Sequence, residues 1–357
     1  MKILHVMPAR FPIQLYGGAE RAAYNLAKGL AELGHENYFL CLEGSEIPFA
    51  KVIPWDFSKD WQNAVPDGID IVQVYNTPNR KPNFPYLVCI QGNGRPGERF
   101  HSNTVFLSAN HAKRHNWSEY VFNGIDPSEY PLGKHKNPGQ LLFLAKAYWP
   151  IKNLYGAMDL TVQSGCRLEV CGGKGSLYYK IFRPYVHFNG MVGGEKKIKI
   201  LQESEALLFP VLWHEPFGIA VIEAMATGAP VFASNRGSLP ELIDESSGAI
   251  CNTREEFIVA ISRRHQWTPE QCRARVLNNF THRHQAERYL EKYKIIMSQG
   301  QLREGQAYCS ENFISEEIKL IPRLRSTWKI DYKLLKQKEA KIVARRKRED
   351  LRLLKPA

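Results

Sequence analysis

The chain has 357 residues and a net charge of +12, with 48 Lys and Arg against 36 Asp and Glu, enough length for two domains that each bury a core. No apolar run approaches the ~18 residues of a spanning helix, and the opening Met-Lys-Ile-Leu-His-Val-Met-Pro is too short an apolar run for a signal peptide, so a cytoplasmic protein is expected. Seven cysteines (Cys41, Cys89, Cys166, Cys171, Cys251, Cys272, Cys309) lie scattered without a Cys-x-x-Cys pair, which predicts reduced, buried thiols rather than disulfides or a zinc site.

Short apolar runs alternate with helical patterns along the chain, as expected of parallel sheets covered by helices. Strands are predicted at 3–7, 38–42, 69–74, 86–90 and 104–107. The clearest helix runs over 19–33, where Ala22, Ala23, Leu26, Leu30 and Leu33 recur at helical spacing and Gly34 supplies a stop. Residues 131–139, rich in Pro, Gly, Lys and Asn, have the composition of a linker. A second strand series follows at 141–144, 168–171, 186–188, 206–209 and 231–233. The reading is an α/β protein of two doubly wound Rossmann-like domains facing a cleft, residues 1–135 and 136–299, with a C-terminal extension over 300–357.

In such sheets ligands sit beyond the carboxyl ends of the strands. After the first strand, Gly17 and Gly18 open the long helix, where backbone amides can approach a phosphate and the helix dipole favours an anion. Glu20 in the same turn either complements that dipole or meets an acceptor. The segment His214-Glu215-Pro216-Phe217-Gly218 places Glu215 just before an expected helix whose first positions suit Pro216. Glu223 would then lie nearly two turns in, roughly 9 Å further along at ~1.5 Å per residue, with the amides of Phe217 and Gly218 as an anion seat between the two carboxylates.

Glu-Pro-Phe-Gly followed by Glu-Ala-Met-Ala-x-Gly-x-Pro resembles the Glu, seven residues, Glu motif of the retaining GT-B glycosyltransferases of family 4, and related matches span about residues 1–297. The resemblance implies a nucleotide-sugar donor, with Glu215 on donor-sugar hydroxyls and Glu223 on the ribose. It also implies that Gly17 and Gly18 lie near the donor diphosphate. The loop Ala145-Lys146-Ala147-Tyr148-Trp149-Pro150-Ile151-Lys152-Asn153 aligns where relatives carry Gly-Arg and then Lys-Gly on the diphosphate. Lys146 stands in place of Arg, which keeps a point charge and loses the bidentate fork, and Lys152 keeps its place. Gly172 and Met191 fall in two strand-end loops that cradle the nucleotide in relatives. Asn123-Gly124-Ile125-Asp126 resembles the family's turn before the interdomain linker, and Arg236-Gly237-Ser238-Leu239-Pro240-Glu241 resembles a turn read mainly as architecture.

One departure concerns Gln91, which stands where many relatives carry a His facing the donor sugar. A glutamine can donate a hydrogen bond but cannot carry a proton away. His101 and His111 downstream read as structural or surface residues.

No Asp-x-Asp follows a strand, no His/Cys cluster has ligand spacing, and no nucleophile has a positioned base. A transfer without cofactor or metal is therefore expected, in which Lys146 and Lys152 stabilise the departing diphosphate. The resemblance adds retention at the anomeric carbon.

The charge is uneven: residues 332–357 hold ten Lys or Arg against three acids. Interleaved Leu334, Leu335, Ile342, Val343, Leu351, Leu353 and Leu354 make this a basic, partly amphipathic stretch suited to the inner, anionic face of a membrane, or else a solvated tail. On the membrane reading the acceptor is a lipid-linked or envelope glycan, as in lipopolysaccharide or other polysaccharide biosynthesis. The alternatives are a transferase acting on modified DNA bases or another anionic acceptor, and a non-catalytic nucleic-acid binder. The folded core carries no nucleic-acid signature, so nucleic acid is the weaker partner.

Overall fold

The computed structural model describes residues 1–13, 17–175 and 183–310; the basic 332–357 stretch lies outside them. The first sheet is built from β1 (Lys2–Val6), β2 (Glu36–Cys41), β3 (Ala50–Pro54), β4 (Ile71–Val74), β5 (Tyr86–Cys89) and β6 (Thr104–Val105), all parallel, in the order β3-β2-β1-β4-β5-β6. Its helices are α1 (Gly18–Glu32) and α2 (Ala109–Arg114).

The second sheet contains β7 (Gln140–Leu144), β8 (Arg167–Cys171), β9 (Val186–Gly190), β10 (Ala206–Phe209), β11 (Val231–Ser234) and β12 (Gly248–Cys251). Read from the other edge its order is β9-β8-β7-β10-β11-β12, the same winding as the first sheet. The described helices of this half are α3 (Leu154–Gln163), α4 (Gly194–Glu203), α5 (Ile219–Ala226), α6 (Leu239–Leu242), α7 (Arg254–Ser262) and α8 (Pro269–Asn279), and α9 (His282–Gln299) follows. The expected α/β architecture of two doubly wound domains facing a cleft is thus the observed one. Each sheet has a switch point where connections depart in opposite directions, between β1 and β4 and between β7 and β10, and these positions place the site.

The inner strands are apolar on both faces, as strands covered by helices must be: β4, β5, β10 and β11 are buried throughout. Two edge strands, β3 and β12, escape the sequence reading because their side chains are only partly covered and form no continuous apolar run. α1 buries Ala22, Ala23, Leu26, Ala27 and Leu30, the helical stripe read from the sequence. All seven cysteines are free and buried.

The chain crosses back at its end. Ile125 donates its amide to Phe280 and accepts from His282, and α9 then runs along α1, with Gln285 Nε2 donating to the Ala22 carbonyl at 3.4 Å and Tyr293 Oη to Gln73 Oε1 at 2.9 Å. Beyond it, Leu302 N donates to Asn103 Oδ1 at 2.8 Å, and Phe100 and Ala307 pair through their backbones. Residues 282–310 therefore pack on the first domain, whereas the sequence boundary puts everything up to residue 299 in the second. The helical pattern of α9 marks a helix without saying which core its apolar face joins.

Candidate active site

A cavity of about 470 Å³ opens between the domains at the carboxyl ends of both sheets. Gly17, Gly18, Glu20, Arg21, Gln91, Gly92 and Asn123 line it from the first domain. Lys146, Lys152, Gly172, Met191, Lys197, Trp213, Glu215, Phe217, Gly218 and Glu223 line it from the second. Every site residue expected from the sequence therefore faces one space.

The segment carrying both glutamates differs from its sequence expectation. α5 begins at Ile219, and Gly218 precedes it with φ 95°, a left-handed conformation that suits glycine. Pro216 and Phe217 are held outside the helix, since the Pro216 carbonyl accepts from Ser108 Oγ at 3.0 Å and the Phe217 carbonyl from Ser238 Oγ at 2.6 Å. Glu223 therefore stands one turn into the helix, about 6 Å beyond its start at ~1.5 Å per residue, rather than nearly two turns. The anion seat moves with it: the amides that lack intrahelical partners belong to the first turn of α5, and Gly218, Ile219 and Ala220 line the cavity there. Opposite, Gly18 opens α1 close enough that a Cβ on it would lie 3.9 Å from Ile219 Cδ1. Two helix N-termini thus converge on the cavity and favour a bound anion.

Each glutamate is clasped by a lysine and an aromatic donor. Glu215 Oε2 accepts from Lys152 Nζ at 2.6 Å and from Trp213 Nε1 at 2.7 Å, while the Lys152 ammonium lies 4.5 Å from the Trp213 ring centroid. Glu223 Oε1 accepts from Lys197 Nζ at 2.6 Å and from Tyr130 Oη at 2.7 Å. Both ion pairs are buried, so removing either partner of a pair leaves a charge without compensation. Burial, and then Glu223, push the Tyr130 hydroxyl far above its ordinary range, which keeps it a donor.

Trp213, Lys197 and Tyr130 are absent from the sequence reading. Trp213 stands two residues from Glu215 and could have been suspected. Lys197 on α4 and Tyr130 beyond β6 come together with Glu223 only through the fold.

The Lys146 ammonium lies 4.3 Å from the Trp149 ring centroid at the cavity wall. Asn153, where relatives carry glycine, takes the left-handed conformation at φ 57° and caps α3, its Oδ1 accepting from Gly156 N at 3.1 Å and its Nδ2 donating to the Pro210 carbonyl at 2.9 Å. The substitution thus keeps the backbone path of the loop, because Asn tolerates this region.

Gly172 lines the cavity, yet its amide donates to the Gly190 carbonyl at 2.8 Å, so it holds β8 to β9 rather than presenting an N–H to a ligand. Met191 is 38% exposed at the rim. Gln91 is fixed by its neighbours, with Nε2 donating to Cys89 Sγ at 3.0 Å and Oε1 accepting from Asn123 Nδ2 at 3.4 Å. His101 hydrogen-bonds Tyr86 at 3.0 Å, and His111 is buried with Nε2 donating to the Gly92 carbonyl at 3.1 Å, so both are structural.

His214 Nδ1 accepts from Gly237 N at 3.2 Å, and burial with Arg114 and Arg236 nearby lowers its pKa to about 4, so the imidazole is neutral. Among the described residues no group of three His, Cys, Asp or Glu is arranged to hold a metal ion, and no helix is long and apolar enough to cross a membrane.

Two sheets of this winding with a cleft at their switch points define the GT-B class. Solved structures agree: a glycosyltransferase involved in avilamycin A biosynthesis superposes with a TM-score of 0.72 at 23% identity, over 83% of this chain and 98% of that one. Anabaena HepE, in complex with UDP and glucose, gives 0.57 at 14% identity, over 82% and 99%. Residues 138–266, within the second domain, match the family model of glycosyl transferases group 1.

Among curated relatives, an uncharacterized glycosyltransferase of Methanocaldococcus jannaschii is 27% identical over 154 residues, 36% of this chain and 39% of that protein. A GDP-mannose-dependent alpha-(1-6)-phosphatidylinositol dimannoside mannosyltransferase of Mycobacterium tuberculosis is 30% identical over 110 residues, 30% of this chain and 29% of that protein. The chain thus matches well under half the length of these relatives.

Proposed function

We propose that this protein is a retaining, metal-independent glycosyltransferase that moves a sugar from a nucleoside diphosphate donor to a glycan or lipid-linked acceptor in cell-envelope polysaccharide or lipopolysaccharide biosynthesis. The observation that carries the reading is the convergence of two helix N-termini, Lys146, Lys152 and the two clasped glutamates on one cavity. Glu215 holds the donor-sugar hydroxyls and Glu223 the ribose. The α5 amides and the two lysines take the charge that develops on the departing diphosphate. The bond between the anomeric carbon and the β-phosphate oxygen breaks while the acceptor oxygen bonds to that carbon on the same face, and the acceptor's proton passes to the departing phosphate oxygen. Gln91 donates to the sugar without moving a proton.

Relatives support a nucleotide-sugar donor and an envelope context. Anabaena HepE is solved with UDP-glucose, and a Klebsiella pneumoniae protein encoded in a cps region is 31% identical over 125 residues. The basic 332–357 stretch would bring the enzyme to an anionic membrane from the cytoplasmic side.

A thermal-shift panel of UDP, GDP, ADP and CMP sugars tests the reading. One donor class is expected to raise Tm by about 5 °C at ~100 Kd, and E223A should abolish that rise. A wild-type protein stabilised by no member of the panel would refute the proposal.

A further inference from the structure

The turn between β11 and α6, read from the sequence as architecture, does more than shape the chain. Its Gly237 sits at φ 62° directly on the Glu215 peptide, where any Cβ would run into the Glu215 backbone. Ser238 N donates to the Glu215 carbonyl at 3.0 Å and Ser238 Oγ to the Phe217 carbonyl at 2.6 Å. Within α6, which the turn opens into, Glu241 reaches the other domain: Oε2 accepts from Ala109 N and Oε1 from Asn110 N, both at 2.8 Å. These amides open α2 in the first domain and have no intrahelical partner. Two further bonds join the same pair of surfaces, Ser108 Oγ to the Pro216 carbonyl at 3.0 Å and Asn93 Nδ2 to the His214 carbonyl at 3.0 Å. The cross-domain bonds therefore end on residues 214 and 216, on either side of Glu215, and on a carboxylate whose turn grips Glu215 from behind.

We infer that Glu241 is a positioning residue that couples docking of the first domain to the seating of Glu215. This rests on the proposed role of Glu215, though the coupling itself does not. A carboxylate taking two backbone N–H groups makes charge-assisted bonds that a neutral side chain cannot reproduce. When the domains part, Glu241 loses both donors, and the 214–218 segment loses the bonds from Asn93 and Ser108. Glu215 then keeps its clasp from Lys152 and Trp213 but loses the bonds that fix its flanking backbone, so its seat is complete only in the docked arrangement, which would favour cleavage of the donor in the state that excludes water.

Amide hydrogen exchange on the full chain tests the coupling without knowledge of the substrate. In E241Q, exchange is expected to quicken at least tenfold in a peptide covering 107–112 and also in one covering 213–219, which Glu241 touches only through the turn. Peptides in β1 and β2 should keep wild-type rates. A109P supplies a second route: it removes one donor at an exposed first helical position that suits proline, leaves Glu241 intact, and should quicken 213–219 at least threefold. Faster exchange at 107–112 with wild-type rates at 213–219 in both variants would reduce Glu241 to a local cap and overturn the inference, as would no change in either peptide. If E241Q loosens β1 and β2 as well, A109P alone decides. Binding of UDP, GDP or ADP by E241Q should stay within threefold of wild type. Failure of the wild type to bind any of them would count against the proposed function and leave the exchange result standing.

Discussion

The two domains share one winding and differ in what they bury around the cavity. In the second domain the buried groups are ion pairs, Lys152 with Glu215 and Lys197 with Glu223. In the first they are neutral: Gln91 and Asn123 face the cavity, while His5, His111 and His115 stand behind it, all with pKa values pushed down by burial. Among the described residues, charge at that half of the cavity is confined to Glu20 and Arg21 on the first turn of α1. A donor carrying a diphosphate asks for fixed charge, and an uncharged acceptor hydroxyl asks for shape and neutral hydrogen bonds. The fold thus serves as a common frame on which one half brings ion pairs to the cavity and the other brings neutral side chains and the start of α1.

The hardest test of this contrast is to neutralise a carboxylate in the charged half. E215Q keeps the volume and removes the charge opposite Lys152, and transfer is expected to fall by about 10²–10³, the range for losing one preorganised electrostatic contact to a transition state. Nucleoside diphosphate affinity should change little. E223Q should give the converse, weaker nucleotide binding with a smaller loss at saturating donor. If both variants lost affinity and rate alike, the division of labour between the two carboxylates would be wrong.

How much of this was legible in the sequence follows the same division. The ligand-facing residues sit at strand ends and helix starts, where glycines, prolines and isolated charges stand out against apolar runs, and every one read there lines the cavity. Their partners are hidden, because Tyr130 lies 93 residues from Glu223 and Lys197 lies 26 away, and only the tertiary fold brings them together. The helix starts at Ile219 rather than near Pro216 for a related reason: Pro216 and Phe217 suit a helix, but tertiary bonds from Ser108 and Ser238 capture their carbonyls. Glu241 looked like one more turn residue, since nothing local says that its carboxylate reaches another domain.

The aromatic donors offer a finer comparison between the two clasps. W213F deletes the bond to Glu215 Oε2 but keeps a ring face for the Lys152 ammonium, whereas Y130F deletes the bond to Glu223 Oε1. Hydrogen bonds to a charged group contribute about 1.5–3 kcal/mol, and Lys152 and Lys197 remain in place, so losses near the lower figure, about tenfold, are expected. W213F should show its loss in kcat and Y130F in nucleotide Kd. The reverse assignment would exchange the proposed roles of Glu215 and Glu223.

The smallest effect belongs to the neutral half. His5 is fully buried between Tyr75 and Asn37, at 3.1 Å from each, and burial lowers its pKa from 6.5 to about 4. The unfolded chain binds a proton at this residue near pH 6.5 and the folded chain does not. Stability from His5 is therefore complete above the unfolded pKa and declines as pH falls from 6.5 towards 4. Between pH 7 and 5.5 the decline should be about 1 kcal/mol, given ~1.4 kcal/mol per pKa unit. Urea unfolding of wild type and H5N across that range isolates the contribution: H5N should be less stable at pH 7 and should show a shallower pH dependence by up to one proton. An equal slope in both proteins would mean that His5 is protonated in the fold, and the contrast between a charged and a neutral half would then fail at the centre of the first sheet.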